Sequence, residues 1–513
     1  MSDIVTERGT ESAIPSQLAG GDSLRSRMLS AGVWSLTSYA GSQIIRLGSN
    51  MIMTRLLLRE DFGLFTLVTT YQVGITMFSD VGLNAYLFQS QKAHDRKFAD
   101  GIWTLCFLRG LIVWMVALAL AWPMAKLYNH PNLFPILAIN SIGLLINTLQ
   151  ATKLTLASRD LKQKELAVFG IANQTIGIVI LIALAWWFRS VWALVIGGLA
   201  GDLIRVAASQ WCFPGERNRW RWDPAIAQEL QHFSKWVYIG SVMTFIGGQA
   251  DRLILGKIMP LEFLGLYGLA MNFATLPLSL VQQGSGLLSP IVVQLRHSND
   301  STMQEKLQQA RFLLLKAGAI LVAVMCVSAP AFYGLLYDPR WHEAGILAAL
   351  LGLNIWASVL GASMNGILIA FGDAKAAANV SMMRVLGALV GIGLGYWLGG
   401  LYGFVLGTAG AGLATYVVEC IALRRWKLTL GWSDMPFSFE CAIYIAMGWT
   451  VLILLHWSPI ELSMRCASVL ATIMLCAWIA YRERNMFPRL MGPIRTHLSG
   501  VGSVCKNWVA AML

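Results

Sequence analysis

Six basic residues stand inside long apolar stretches of this chain, where a positive charge needs a physical reason. They are Arg46, Arg109, Arg205, Arg252, Lys316 and Arg384. A basic side chain that faces lipid at the centre of a membrane helix costs about 2.5–3.5 kcal/mol, so six would exceed the typical stability margin of a domain, about 5–15 kcal/mol. Most of them must therefore face water, an acid or a ligand. The alternative for any single one of them is that its side chain extends to the membrane surface or joins two helices. Lys316 stands near a predicted helix start, from which it can reach the cytoplasmic surface.

Acidic residues at a similar depth are fewer: Asp80, Asp202 and Asp251, with Glu419 near a helix end. Asp202 and Arg205 have the i,i+3 spacing at which helical side chains can pair. Asp251 and Arg252 are neighbours that point about 100° apart on a helix and cannot pair on one face. A positive excess remains, which favours an anionic ligand. Arginine suits phosphate in particular, because its planar fork can donate two parallel hydrogen bonds.

Three polar positions are candidates for gating or coupling rather than for binding the anion: Asp80, Asp251 and Asn50. Asp80 ends an apolar helix in SDVGLNAYLFQS. A hinge or a proton-sensitive site is one interpretation of this residue. A helix-end cap, or an ion pair with Lys92 or Arg96, is the other, and the sequence leaves both open.

A duplication organises the elements that carry these residues. Moving the chain by about 202 residues places Trp34 on Trp236 and Gly63 on Gly265 without a gap. A helical hairpin repeated at the head of each half predicts two bundles that face one another, with something passing between them. The shift also puts Gly248 and Arg252 where Arg46 and Asn50 stand. A two-fold axis along the membrane normal would bring Arg46 and Arg252 to one central cavity from opposite sides.

Composition defines the class as an all-α polytopic membrane protein. The 513 residues are 56% hydrophobic and 13% charged, with a mean hydropathy of +0.59, and a soluble chain carries roughly twice that charged fraction. Several apolar runs reach the roughly 20 residues that span a bilayer. Fourteen spans are predicted, near 31–55, 63–88, 99–125, 132–152, 166–187, 191–212, 233–256, 264–290, 312–336, 344–370, 376–398, 401–422, 440–457 and 464–481.

The basic loops predict the orientation. Most of the 39 Lys and Arg fall in alternate loops, as in Arg159/Lys162/Lys164 and Arg424/Arg425/Lys427, and the positive-inside rule then places both termini in the cytoplasm. The same rule explains the net charge of +12 without a nucleic-acid partner. The predicted units are a disordered cytoplasmic tail (1–29), an N-lobe (30–212), a cytoplasmic linker (213–232), a C-lobe (233–425), two further helices (426–482) and a basic cytoplasmic tail (483–513).

No catalytic set can be assembled from the sequence. It contains no GxxxxGK[ST] phosphate loop and no HExxH motif, and the eight Cys are scattered through apolar runs, so we expect neither a cofactor nor a metal site and no enzyme activity. Glycines recur every fourth residue from Gly391 to Gly407. Close helix packing explains that spacing, with a hinge as the alternative.

Several blocks in order resemble a known family, the Wzx-like polysaccharide transporters of the MOP flippase superfamily. They are TRLLLREDFGLFTLV (54–68), SDVGLNAYLFQ (79–89), LASRDLKQKELA (156–167), GGQADRLILGKIMPLEFLGLYGLA (247–270) and LLYDPRWHEAG (335–345). The resemblance implies two six-helix lobes in a V around a central cationic cavity, with two extra C-terminal helices. It further implies alternating access in a bacterial inner membrane. The cargo would be an undecaprenyl-diphosphate-linked oligosaccharide, moved to the periplasmic leaflet for exopolysaccharide, capsule or O-antigen synthesis.

Membrane lipid, a polysaccharide polymerase and the export machinery are the partners that this assignment implies. Three other functions remain in view. A multidrug or cation antiporter of the same superfamily would need acidic residues in its lumen, but the basic residues within the membrane outnumber the acidic ones here. A membrane glycosyltransferase or polymerase would need larger outer loops. The substrate of a peptidoglycan-precursor flippase carries the same lipid diphosphate, and the sequence distinguishes such a flippase poorly from an oligosaccharide flippase.

Overall fold

Long apolar runs fold here as helices because a helix satisfies its own backbone hydrogen bonds where water is absent. A computed structural model gives the structure of the chain. It describes residues 21–79, 92–222, 224–285, 303–371, 374–426 and 431–456, with isolated positions between them. Every regular element within those ranges is helical. The predicted span at 464–481, the tail at 483–513 and Asp80 lie outside the described residues.

Seven helices of the described residues up to 211, called here the N-lobe, are α1 (Gly21–Leu56), α2 (Arg59–Phe78), α3 (Arg96–Leu127), α4 (Leu133–Thr148), α5 (Lys153–Arg159), α6 (Gln163–Phe188) and α7 (Val191–Trp211). The described helices that follow, called here the C-lobe, are α8 (Pro224–Ile258), α9 (Leu261–Ala274), α10 (Leu276–Ser285), α11 (Met303–Leu336), α12 (His342–Leu350), α13 (Gly352–Phe371), α14 (Ala374–Gly407) and α15 (Ala409–Arg424). A 3-10 turn at Pro339–Trp341 precedes α12, and another at Gly431–Asp434 follows the C-lobe. The helix α16 (Met435–His456) follows the C-lobe.

Length and composition mark five of the described helices as membrane spans, and up to eight if each bent pair counts as one span. The bends lie between α4 and α5 (61°), α9 and α10 (42°), and α12 and α13 (44°). The breaks at Thr275 and Leu351 fall inside the predicted spans 264–290 and 344–370, which are therefore not single straight helices. The break at 149–152 lies at the end of the predicted span 132–152, most of which is the single helix α4. The structure supports a multi-pass helical protein, and the count of fourteen spans stays a prediction.

Helix ends differ from the predictions mainly where polar residues extend an apolar helix. The helix α1 begins at Gly21, inside the tail predicted as disordered, and α8 begins at Pro224, inside the predicted linker. Likewise α11 begins at Met303 rather than near 312, and α16 at Met435 rather than near 440. An apolar window detects the lipid-facing part of a helix and misses the polar turns that continue beyond it.

The two lobes meet through a reciprocal contact between α2 and α9. A Cβ built on Gly63 would lie 1.9 Å from the carbonyl oxygen of Leu261, and one on Gly265 would lie 2.3 Å from that of Arg59. The offset of 202 residues relates Gly63 to Gly265 and Arg59 to Leu261, so each contact is the image of the other. A reciprocal pair of this kind is the mark of a two-fold axis, and it supports the duplication read from the sequence.

Further contacts join the lobes at the same end of the molecule, called here the joined end: turns 57–58 and 259–260 and loop 337–341. Trp341 is fully buried there. Its Nε1 donates to the Thr54 carbonyl at 3.1 Å, and its ring packs edge-on against Phe62 with centroids 4.9 Å apart. The loop that carries it is braced by the backbone N–H and guanidinium of Arg340, which lower the pKa of the Asp338 carboxyl.

The late glycines pack two helix segments against each other. A Cβ at Gly391 would lie 2.3 Å from the Gly407 carbonyl oxygen, and one at Gly395 would lie 2.1 Å from that of Gly403. Non-helical dihedral angles at Gly399 and Gly400 divide α14 into two segments, as predicted for spans 376–398 and 401–422. The four-residue spacing therefore serves close packing.

The linker is attached to the N-lobe through a buried acid. Asp100, on α3, is 6% exposed. Its Oδ1 accepts the Asn218 amide at 3.2 Å and the Arg219 backbone N–H at 3.0 Å. The ring of Trp220 packs edge-on against Trp103. The described part of the linker therefore runs along the N-lobe, held by a backbone N–H, a side-chain amide and an aromatic ring.

The α2–α9 contact gives a first prediction. Gly63→Ala should force the two helices apart, because the new methyl group meets backbone rather than a movable side chain, and overpacking of this kind costs about 1–3 kcal/mol. We expect a lower melting temperature of the detergent-purified protein. Gly48→Ala on α1 is the matched control, since nothing lies within 4 Å of its Cβ position, and it should be neutral or slightly stabilising. Equal melting temperatures for the two variants would contradict the contact.

Candidate functional site

A polar cavity of about 400 Å³ lies within the C-lobe. Helices α8, α9, α10, α13, α14 and α15 form its wall, and the adjacent glycines at 247 and 248 open α8 towards it. Its polar lining consists of Gln249, Asp251, Arg252, Thr275, Gln282, Asn354, Ser358, Asn365, Arg384, Thr408 and Thr415. Two arginines, one acid and several amides and hydroxyls are thus collected inside an apolar bundle, a composition that fits a polar anion.

Adjacent positions on α8 separate the acid from the base. Asp251 is 9% exposed, and it accepts a hydrogen bond from the Tyr267 hydroxyl on α9. Arg252 turns away from it and donates to the Gln249 side-chain oxygen at 2.8 Å, while its Nε is buried without a partner among the described residues. The sequence-based statement that these neighbours cannot pair is therefore confirmed.

Arg384 reaches the same cavity from α14. Its side chain lies over Gly247, where a built Cβ would come within 2.7 Å of the Arg384 Cγ. The missing side chain at position 247 thus provides the space that the arginine occupies. Arg252 and Arg384 share one cavity, although 132 positions separate them in the sequence.

Arg46 lies at the contact between the lobes, beside this cavity. Its guanidinium is 3.4 Å from the Asn272 carbonyl oxygen on α9. The flanking residues Met271 and Thr275 both line the C-lobe cavity. Asn50, one turn further along α1, is half-buried. The structure therefore places Arg46 beside residues that line the C-lobe cavity, but Arg46 is not itself part of that lining, and a single cavity shared by Arg46 and Arg252 stays a prediction.

A second cavity, of about 570 Å³, lies within the N-lobe. Its polar lining is Gln72, Thr76, Ser79, Arg109, Asn147, Thr148, Gln150, Thr152, Thr155, Asp202 and Arg205. Arg205 is 3.7 Å from Asp202, which confirms the predicted pair, and Asp202 also accepts the Asn147 amide at 3.0 Å. Arg109 is 3.5 Å from the Ser79 hydroxyl, and its Nε is buried without a partner among the described residues.

Lys316 has a different environment from the one predicted. Its ammonium group lies 2.6 Å from a carboxylate oxygen of Glu440, and it joins α11 to α16. It stands thirteen residues after the start of α11, so it is not near a helix start. An acid 124 residues away in sequence neutralises this cation, and no local pattern could reveal that pairing. The position does not support Lys316 as a contact for the anion.

Two buried charges were missed by sequence reasoning as functional candidates. Arg311 is 1% exposed and forms an ion pair with Asp434 at 2.7 Å, while it also donates to the Ser363 hydroxyl at 3.0 Å. A helix that starts near 312, as predicted, places Arg311 in a loop, whereas α11 begins at Met303. Glu419 was noted as an acid near a helix end, and it is fully buried.

The Arg311–Asp434 pair gives a second prediction. Asp434→Asn should destabilise the protein by about 3–5 kcal/mol, because it leaves an uncompensated buried cation. The double variant Arg311→Met/Asp434→Asn removes both charges and should recover most of the loss. Thermal unfolding of the three purified proteins measures the effect. A double variant that is less stable than Asp434→Asn alone would contradict the explanation by charge.

Several apolar helices around two polar, basic cavities define a polytopic membrane transporter. A family described as "Polysaccharide biosynthesis protein" matches residues 52–344, more than half of the chain. The chain therefore belongs to this family of polysaccharide biosynthesis proteins, which confirms the resemblance found in the sequence blocks.

Two relatives show how far the similarity extends. The chain is 22% identical over 325 residues to the succinoglycan biosynthesis transport protein ExoT of Rhizobium meliloti (strain 1021), covering 63% of this chain and 65% of ExoT. It is 20% identical over 404 residues to the lipopolysaccharide biosynthesis protein WzxC of Escherichia coli (strain K12), covering 75% of this chain and 78% of WzxC. The match to ExoT thus spans slightly less than two thirds of that relative.

Solved structures confirm the class of fold. The lipid II flippase MurJ in an inward closed conformation matches with a TM-score of 0.64 at 14% identity, over 88% of this chain and 99% of MurJ. An inward-facing MATE-family transporter of the MOP superfamily matches with a TM-score of 0.58 at 12% identity, over 78% of this chain and 95% of its own. Identities this low show a common fold and nothing about the cargo.

Proposed function

We propose that this protein moves a polyprenyl-diphosphate-linked oligosaccharide from the cytoplasmic to the periplasmic leaflet of a bacterial inner membrane. It does so by alternating access between its two lobes, as a transporter rather than an enzyme. The cargo is a repeat unit for exopolysaccharide, capsule or O-antigen, on undecaprenyl diphosphate. The names of ExoT and WzxC support the pathway, since both belong to polysaccharide biosynthesis.

The observation that carries the proposal is the shared cavity of Arg252 and Arg384. Its lining acid, Asp251, is hydrogen-bonded to Tyr267 and not to either arginine, so Asp251 does not withhold the two guanidinium groups from a ligand. Arginine donors bind phosphate oxygens with charge-assisted hydrogen bonds, which are stronger where water is scarce. A diphosphate supplies the charge that this cavity needs.

The N-lobe cavity complements this site with neutral polar groups. Its amides and hydroxyls, such as Gln72, Asn147 and Gln150, are the kind of donors and acceptors that sugar hydroxyls pair with. Arg205 is neutralised by Asp202, which leaves Arg109 as the candidate charged contact in this lobe. We assign the diphosphate to the C-lobe cavity with Arg46 at its edge, and the sugar to the N-lobe cavity.

The orientation supplies a driving force. The positive-inside rule places the basic loops in the cytoplasm, and the joined end then faces the periplasm. Both termini are cytoplasmic in this arrangement. An inside-negative potential favours outward movement of an anionic head by about 2.3 kcal/mol per charge per 100 mV. Alternating access requires the joined end to open when the substrate leaves.

Deletion of the gene in its native host tests the function. Polyprenyl-diphosphate lipids would be extracted and their oligosaccharides quantified by mass. We expect complete repeat units to accumulate while surface polysaccharide is lost, and their mass would identify the sugar. Unchanged lipids with new sensitivity to cationic drugs would instead favour a multidrug antiporter. Accumulation of the peptidoglycan precursor would favour the other flippase.

A further inference from the structure

Glu419, on α15, is a buried acid behind the wall of the C-lobe cavity. It is 0% exposed, and neither of its carboxylate oxygens has a hydrogen-bond partner among the described residues. A Cβ built on Gly361 of α13 would lie 3.3 Å from its Oε2. Gly361 lines the cavity, as does Thr415 one turn before Glu419. Only a glycine and one helical turn separate the acid from the proposed diphosphate site.

Of the two cations that act on Glu419, Arg384 is the one that can serve as its counter-ion. Arg384 on α14 and Arg311 on α11 both act on it electrostatically. Arg311 is already held by Asp434 at 2.7 Å, and α13 carries no ionisable residue. On its own helix, Cys420 follows Glu419 directly and acts on it electrostatically, and Tyr416 stands three residues before it.

An ionised carboxylate without hydrogen bonds is costly in such a place, and the nearby cation lowers that cost. The same cation lines the diphosphate cavity, so Glu419 and a phosphate compete for it. We propose that Glu419 is a proton-binding site linked to anion binding: ionised, it engages Arg384, and protonated, it releases Arg384 to bind a diphosphate. The choice of anion rests on the proposed function, whereas the proton site rests on the burial and the charges.

Thermodynamic linkage makes the effect reciprocal. If protonation of Glu419 strengthens diphosphate binding, then diphosphate binding must strengthen proton binding at Glu419. The protein should therefore take up protons when it binds a diphosphate at a pH where Glu419 is at least partly ionised. After release of the anion, Glu419 loses the proton and engages Arg384 again.

Infrared spectroscopy tests the proton site without any ligand. The full-length protein in nanodiscs would be titrated, and the carbonyl-stretch band of a protonated carboxyl followed in pH-difference spectra. We expect a band that Glu419→Gln abolishes. The variant Arg384→Gln keeps Glu419 but removes the cation that stabilises its ionised form. The band of the protonated carboxyl should therefore persist to higher pH in this variant. Spectra of Glu419→Gln identical to those of the native protein, or an unchanged midpoint in Arg384→Gln, would overturn the proposal.

Calorimetry tests the linkage. Farnesyl diphosphate would be titrated into the native protein and Glu419→Gln in two buffers with different ionisation enthalpies, which gives the total number of protons exchanged on binding. The difference between the two proteins removes the protons that the ligand itself exchanges. We expect up to one extra proton taken up by the native protein, and weaker pH dependence of binding in the variant. Equal uptake by both would overturn the linkage. If farnesyl diphosphate binds to neither protein while the infrared band is present, the diphosphate is refuted as the anion and the proton site is supported.

Discussion

Arg252→Ala and Arg384→Ala should each abolish export of the lipid-linked oligosaccharide while the protein still reaches the membrane. Hydrogen bonds to a charged group contribute about 1.5–3 kcal/mol each, so losing one arginine should weaken diphosphate binding roughly 10- to 150-fold. Arg46→Ala should also abolish export, because Arg46 stands at the edge of the same cavity. Surface polysaccharide in a complemented deletion strain measures the result, with membrane abundance checked by immunoblot.

Two variants separate loss of the phosphate contact from a general defect. Arg252→Lys keeps the charge but not the two-pronged geometry, and we expect only partial recovery. Arg55→Ala removes an exposed arginine from the last turn of α1, and it should leave export unchanged. Normal export in both Arg252→Ala and Arg384→Ala would refute the assignment of this cavity to the diphosphate.

Trp341→Ala should open the joined end. Trp341 belongs to the C-lobe loop, but its Nε1 binds the Thr54 carbonyl and its ring packs on Phe62 in the N-lobe. Truncating a buried Trp costs about 3–5 kcal/mol. The part of that cost that arises from these contacts across the lobes falls on the joined state alone. An equilibrium between joined and opened states can therefore shift by up to that amount.

Distances between spin labels measure this shift. Leu58 and Leu335 are exposed on opposite lobes near the joined end, at 60% and 57%, and both would be labelled as cysteines in a background without the native cysteines. In Trp341→Ala we expect a second distance between the two labels, longer than that of the native protein, to dominate the distribution. Trp397→Ala, at a position 80% exposed on α14, is the control and should keep the native distribution. The native distribution in Trp341→Ala as well would show that the tryptophan does not hold the lobes together.

Sequence patterns predicted the parts of the fold that repeat or that have a fixed local spacing. The offset between the halves predicted that Gly63 and Gly265 are equivalent positions, and the structure shows that their contacts are reciprocal. The i,i+3 spacing predicted the pair Asp202–Arg205. The four-residue glycine period anticipated the tight packing within α14. In each case the information lies within one helix or in a comparison of two similar segments.

The composition of the site could not be predicted in the same way, because distant partners decide which charges remain available. Lys316 is neutralised by Glu440, whereas Arg384 shares a cavity with Arg252, and nothing in the local sequence of these cations distinguishes their environments. Arg311 was missed because hydropathy placed the start of α11 too late. The bends inside two predicted spans were missed because an apolar run is equally apolar on both sides of a bend.

The most direct measurement of the central claim locates the oligosaccharide across the membrane. Spheroplasts of the native host, depleted of this protein, would be treated with a membrane-impermeant reagent that oxidises sugar diols, and the lipid-linked repeat unit then analysed. We predict that the unit stays protected without the protein and becomes accessible when the protein is restored, but stays protected when Arg252→Ala is supplied. A repeat unit equally accessible with and without the protein would contradict translocation by this chain.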